Sequence, residues 1–137
     1  MLIILLCCCC LYEPVGSAFN GNYKSALWSE GIGVIPYPQS VIITGKDFVF
    51  DEEVFIRFQG KASEEDLFAA EELGRRLSER WNINCRITDR PQKREIILIP
   101  GRKAGKTDDQ SYEIETDIDK IYVTSAGSTG LFYGVQT

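Results

Sequence analysis

Glu95-Ile96-Ile97-Leu98-Ile99 is the stretch that decides the architecture. Four consecutive apolar residues leave no polar side for solvent, whereas a half-exposed strand alternates. The run predicts a central strand covered on both faces, ending at Pro100. Such a strand needs a neighbour on each edge and a layer of helix above it, and the flanking sequence supplies candidates for both.

Upstream, Ser63 to Asn82 reads as a helix. Ser63 is a good N-cap, and Glu64, Glu65 and Asp66 place negative charge at the positive end of the helix dipole. Asp66 stands at the capping-box position that Glu more often occupies. Leu67, Ala70, Leu73, Leu77 and Trp81 recur at intervals of three and four, forming one apolar stripe. Arg75, Arg76 and Arg80 lie toward the negative end, Glu71–Arg75 and Glu72–Arg76 are favourable pairs one turn apart, and Asn82 and Asn84 end the helix.

Before the helix, Ser40 to Thr44 and Phe48 to Asp51 flank Gly45-Lys46-Asp47, which predicts a hairpin. Val54, Ile56 and Phe58 then alternate in a third strand that stops at Gly60. After the helix come a strand over Cys85 to Thr88 and a turn at Pro91. Tyr112 to Thr116 and Lys120 to Thr124 also alternate, joined by Asp117-Ile118-Asp119 as a second hairpin. Gly127-Ser128-Thr129-Gly130 leads into Leu131-Phe132-Tyr133-Gly134-Val135-Gln136-Thr137, which reads as a helix opening. So apolar a turn at the end of a sequence predicts a fragment whose surface another module completes.

At the other end, Leu2 to Leu11 is an unbroken apolar run that includes Cys7, Cys8, Cys9 and Cys10. It is about half the roughly 20 residues that a membrane-spanning helix needs. Followed by Gly16-Ser17-Ala18, it fits an export signal over residues 1–18, although no basic side chain accompanies Met1. Export would place the protein in a periplasmic, extracellular or lysosome-like compartment. Lipid attachment at one of the four cysteines is the alternative, against which Leu6 stands where a small residue usually precedes a lipidated cysteine. Contiguous thiols in an apolar run do not surround a metal ion. Residues 19–32, rich in Gly, Asn and Ser, read as a linker, with Trp28 available to pack onto the domain. Val34-Ile35-Pro36-Tyr37-Pro38-Gln39 is held extended by its two prolines.

Composition narrows the chemistry. The chain has 137 residues, 44% hydrophobic and 26% charged, an ordinary globular mix for one domain. Its net charge of -5 argues against nucleic acid, whose binders neutralise phosphates with a basic surplus. There is no histidine, which removes Ser–His–Asp and Cys–His nucleophile pairs and imidazole-based zinc sites. Once the signal is gone, Cys85 is the single cysteine left and reads as an inert strand residue.

Three constellations invite a chemical reading. Gly101-Arg102-Lys103-Ala104-Gly105-Lys106-Thr107 resembles a phosphate loop, but one residue too few separates its glycines and no helix follows, so nucleotide binding is not expected. Asp117-Ile118-Asp119 lacks the oxygen ligand and glycine that a calcium loop requires next. Asp108-Asp109 and Glu64-Glu65-Asp66 are sequence neighbours, whereas glycosidase carboxylates face one another across a substrate. The expectation is that this chain carries no catalytic, cofactor-binding or metal-binding residues and needs no cofactor.

Two stretches go further. Val34-Ile35-Pro36-Tyr37-Pro38-Gln39-Ser40-Val41 resembles the opening of the N-terminal domain of glycoside hydrolase family 20 β-N-acetylhexosaminidases. Gly127 to Thr137, with its Gly-Leu-Phe-Tyr-Gly-Val-Gln-Thr run, is similar to that domain's closing signature. Ser111-Tyr112-Glu113-Ile114 and Ile121-Tyr122-Val123 fit the paired strands between them. The resemblance covers residues 33–137. It implies an α/β domain of the α+β type, with a mostly antiparallel mixed sheet and helices packed on one face. It also implies a following (β/α)8 barrel that removes terminal N-acetylhexosamine, with the substrate's acetamido group assisting an Asp-Glu pair beyond Thr137. The implied partner is that barrel, and glycan is met only through it. Front domains of α-glucuronidases and O-GlcNAc hydrolases are alternatives. So is an exported glycan-binding module using Trp28, Tyr37 and Tyr133.

Overall fold

The computed structural model describes residues 2–6, 27, 31–34, 38–43, 45–102 and 108–137. Its strands are β1 (Leu2–Leu6), β2 (Ser40–Ile42), β3 (Glu53–Phe58), β4 (Asn84–Ile87), β5 (Glu95–Ile99), β6 (Tyr112–Thr116) and β7 (Lys120–Ser125). Two helices, α1 (Glu64–Trp81) and α2 (Ser128–Gln136), complete the described elements. The strand order is β2-β1-β6-β7-β5-β3-β4. Five strands, β6 through β4, form the body of the sheet, and β1 and β2 extend it at the β6 edge.

All five residues of β5 are buried, the four apolar ones as their unbroken run requires. The strand lies between β3 and β7 and is parallel to both. Alternate residues of the sheet, Val54, Ile56, Ile96, Leu98, Ile114 and Val123, form one cluster with Ala69, Ala70 and Leu77 of α1 and Leu131 and Val135 of α2. Both helices therefore pack on the same face. The fold is α/β with a mixed sheet, but the expected antiparallel majority is not found. The β1–β2, β1–β6 and β6–β7 ladders are antiparallel, while β3–β4, β3–β5 and β5–β7 are parallel. For β3–β4 the physical reason is α1, a long connection that returns the chain to β4 alongside β3 in the same direction.

The α1 caps form as the sequence predicts. Ser63 is the N-cap, its side chain accepts from the Asp66 amide, and the Asp66 carboxylate accepts from the Ser63 amide. Asn82 closes the helix in the left-handed conformation with φ 57°, which Asn tolerates better than most residues. The apolar stripe differs from the expected one. Asp66, Ala69, Ala70 and Leu77 are buried, whereas Leu67 and Trp81 face solvent. Small residues win the contact face because they let the helix lie close to the sheet. Arg75 also pairs with Glu72 and Glu79 instead of Glu71, while the Glu72–Arg76 pair forms as expected.

The first predicted hairpin does not form. Phe48 to Asp51 is not a strand, and β2 pairs with β1. Side chains hold this segment instead: Arg94 donates to the Val49 carbonyl and meets the Asp51 carboxylate, while Phe48 packs on the core. The second hairpin forms as β6–β7, closed by the Asp117 amide on the Lys120 carbonyl. In the stretch expected to be a linker, Leu27 is fully buried.

Candidate functional site

The helical layer carries the exposed apolar surface. On α1, Phe68 is 58% and Trp81 61% exposed. Phe68 stacks on Phe132 of α2, with ring centroids 6.2 Å apart and planes 17° from parallel. Phe132 in turn lies 6.3 Å from Tyr133, itself exposed. Large aromatics grouped in this way are uncommon on a surface that meets only water.

Between the C-terminal half of α1 and the end of α2, the helices leave a groove of 430 Å³. Its apolar floor includes Ile114, Ile121 and Val123 of the sheet, and Leu73, Leu77 and Val135 line its sides. Trp81 and Arg80 also border it, with the guanidinium 5.6 Å from the centre of the indole.

The closing segment sets how α2 sits beside this groove. A Cβ on Gly130 would come within 2.5 Å of the Ser111 carbonyl oxygen, and one on Gly134 within 2.6 Å of a Val123 methyl. These two glycines, four apart on one helix face, let α2 settle against β6 and β7. Leu131 and Val135 are buried by that approach, and Phe132 is left in contact with Phe68.

The described residues also hold a buried ionic cluster that the sequence reading did not find. Glu95 is 0% exposed. It accepts from Arg57 Nε at 2.8 Å and Nη2 at 3.1 Å, lies 3.1 Å from Lys120 Nζ, and accepts from the Gln92 amide. The Arg57 hydrogen bonds, aided by Lys120, hold its carboxyl at about 2, against burial acting the other way. A glycosidase general acid needs its pKa raised toward neutrality. Glu95 is driven the opposite way, which suits a structural anion and not a proton donor. The available signal was a lone arginine inside the apolar run Val54-Phe55-Ile56-Arg57-Phe58.

The flagged residues lie apart from one another. Asp117 accepts from the Ile118 amide and pairs with Lys46, and both bonds hold it below the usual carboxylate range. Asp119 reaches Arg94 at 3.9 Å. Asp108 accepts from the Gln110 amide, and the Asp109 side chain lies against Gly127. Glu64, Glu65 and Asp66 form the first turn of α1. Burial pushes the Cys85 thiol up, the wrong direction for a nucleophile. Cys7 to Cys10, Trp28, Tyr37 and Lys103 to Thr107 lie outside the described residues. Among the described residues, no group of three or more metal-ligating side chains is found, and no helix is long and apolar enough to cross a membrane.

A protein-family model described as glycosyl hydrolase family 20, domain 2, matches residues 31–137. Among solved structures, the chain is similar to a GH138 enzyme targeting pectin rhamnogalacturonan II, at 26% identity and a TM-score of 0.51. That alignment covers 61% of this chain and 9% of the enzyme, so the chain corresponds to less than a tenth of its length. No curated protein matches the chain in sequence.

Proposed function

The chain belongs to the glycosyl hydrolase family 20 domain 2 family, and from that premise we propose that it is the non-catalytic front domain of a β-N-acetylhexosaminidase-like enzyme, seating its helices on the (β/α)8 barrel that removes terminal N-acetylhexosamine. The observation that carries this reading is the aromatic surface of Phe68, Phe132 and Tyr133 together with the apolar groove beside Trp81. Covering such a surface is favourable at roughly 25 cal/mol per Å² of apolar area removed from water. A catalytic role for this domain finds no support in Glu95, because two cations hold that buried carboxylate ionised.

The test is turnover of a chromogenic N-acetylglucosaminide. This chain alone is expected to show none, and a polypeptide that joins it to a barrel is expected to be active. Turnover by the chain alone would overturn the reading.

The likeness to a GH138 enzyme favours a wider alternative, in which the same front domain serves a glycosidase of different specificity, such as an α-glucuronidase or O-GlcNAc hydrolase. Assaying the joined polypeptide on uronide and O-GlcNAc substrates separates these. Export directed by residues 1–18, with residues 19–32 as a linker anchored by the buried Leu27, is part of the same proposal, and removal of residues 1–18 would take β1 out of the sheet and leave β2 and β6 without that partner.

A further inference from the structure

A second cleft, of 240 Å³ and with a few polar groups set in a mainly apolar lining, lies where α1 and α2 both begin, at the carboxyl ends of β3, β5 and β7. Lys61, Ser63, Asp66, Gly101 and Ser128 are among the residues that line it. Ser63 Oγ and Ser128 Oγ are 3.2 Å apart. Asp66 is 2% exposed; its Oδ2 accepts from the Ser63 amide at 2.8 Å. Its Oδ1 is buried and has no hydrogen-bond partner among the described residues. A buried carboxylate oxygen left in this way is costly, because it has given up water without a replacement donor.

We propose that this cleft binds one neutral, hydroxyl-bearing ring, a single saccharide unit, with a ligand hydroxyl donating to Asp66 Oδ1. Charge decides the class. Each helix N-terminus carries roughly half a positive charge, and against the two of them stand the Asp66 carboxylate, the exposed and screened Glu64 and Glu65, and the Asp109 side chain beside Gly127. Lys61 is exposed, and solvent screens its contribution. An added anion meets the Asp66 carboxylate, an added cation meets both helix ends, and a neutral ligand meets neither penalty.

The donor and acceptor pattern agrees. The Ser128 and Thr129 amides open α2 and have no intrahelical acceptor, and the Gly127 cap makes no side-chain hydrogen bond to them. The Ser63 and Ser128 hydroxyls thus line the same cleft as the unpaired Asp66 oxygen, which suits hydroxyl groups because they both give and receive. The volume falls below the roughly 300–1,000 Å³ of clefts for drug-sized ligands, which limits the occupant to one ring. The site lies at the opposite end of α1 from the Trp81 groove but only two residues from Phe68 of the aromatic surface, so it is tested in the chain alone, with no barrel present.

The experiment is a titration of the full chain with glucose, followed by backbone amide NMR. Saturable shifts confined to the surroundings of Ser63, Gly101 and Ser128 are expected. Asp66→Asn exchanges the charged acceptor for a weaker neutral one, and Ser128→Leu fills the cleft; each is expected to weaken binding about tenfold or more. Thermal melts confirm that each variant is folded, and Ser128→Leu decides the matter if Asp66→Asn unfolds. Absence of saturation, or shifts unchanged in a folded variant, would overturn the proposal. Inorganic phosphate perturbing the same amides more strongly than glucose would overturn it too, since the helix ends would then outweigh Asp66.

Discussion

Arg57 and Glu95 clasp each other at two points across the parallel β3–β5 pair, Nε to Oε2 at 2.8 Å and Nη2 to Oε1 at 3.1 Å. Their carboxylate is fully buried, so this pair is screened far less than an ion pair on the surface.

The pair makes stability depend on pH. The folded pKa of Glu95, about 2, lies below its ordinary value of 4.5. The stabilisation is therefore complete above about pH 4.5 and is lost as pH falls toward 2. Its size is about 3 kcal/mol at neutral pH, from about 1.4 kcal/mol per unit. Glu72 is also held at about 2, chiefly by Arg75, and titrates in the same window. Its partners are exposed, so added salt should erase its share. Melting temperatures followed from about pH 7 down to about pH 2 in high salt should fall steeply in native protein and much less in Glu95→Gln.

The closing glycines should differ in a predictable order. Gly130→Ala drives a Cβ to 2.5 Å from a backbone oxygen that has little freedom to move. Gly134→Ala meets a Val123 methyl at 2.6 Å, where a side chain can shift a little. Gly74→Ala, in the middle of α1, meets Cys85 Cβ at 3.2 Å and Ile56 Cδ1 at 3.9 Å, both side-chain atoms, and gains helix propensity of about 1 kcal/mol. Urea unfolding should rank Gly130→Ala as most damaging and Gly134→Ala next, at about 1–3 kcal/mol, with Gly74→Ala near neutral. A stable Gly130→Ala would mean that α2 sits further from the sheet.

Trp81→Glu should leave the isolated chain within about 0.5 kcal/mol of native stability, because the indole is mostly in water already. In a polypeptide that includes the barrel, the same change should lower the melting temperature and the activity together. Equal effects in both contexts would count against a docked interface.

Ser63→Ala removes the side chain that caps α1 and should cost about 1 kcal/mol. Ser63→Asp restores an acceptor and should recover most of the loss in chemical denaturation. If the two variants behave alike, the cap contributes nothing measurable.

Some of this was legible in the sequence. The apolar run of β5 and the caps of α1 depend on neighbouring residues alone, and both read correctly. The α1 stripe was right at Ala70 and Leu77, which are buried, and wrong at Leu67 and Trp81, which face solvent while the smaller Ala69 joins the contact face. Phe48 to Asp51 is apolar like a strand and follows a turn-like Gly45-Lys46-Asp47, but its contacts run to Arg94, far downstream in the sequence, which a local reading does not show. The parallel ladders could not be read because residue periodicity carries no strand order. The closing motif was visible, but its meaning as a pair of packing glycines needed β6 and β7 in place. Asp66 showed its capping role in sequence, while its idle oxygen depends on the distant α2 arriving beside it.

The position of β5 between β3 and β7 also sets a timetable for biosynthesis. When Ile99 has left the ribosome, β5 can lie against β3, but the strand for its other edge has yet to be made. A strand with four consecutive apolar residues then waits with one side open until Lys120 to Ser125 emerge, and during that interval it is the segment most exposed to capture by chaperones or by another nascent chain. Chains stalled just after Ile99 should therefore bind a hydrophobic dye that chains stalled with β7 fully extruded do not.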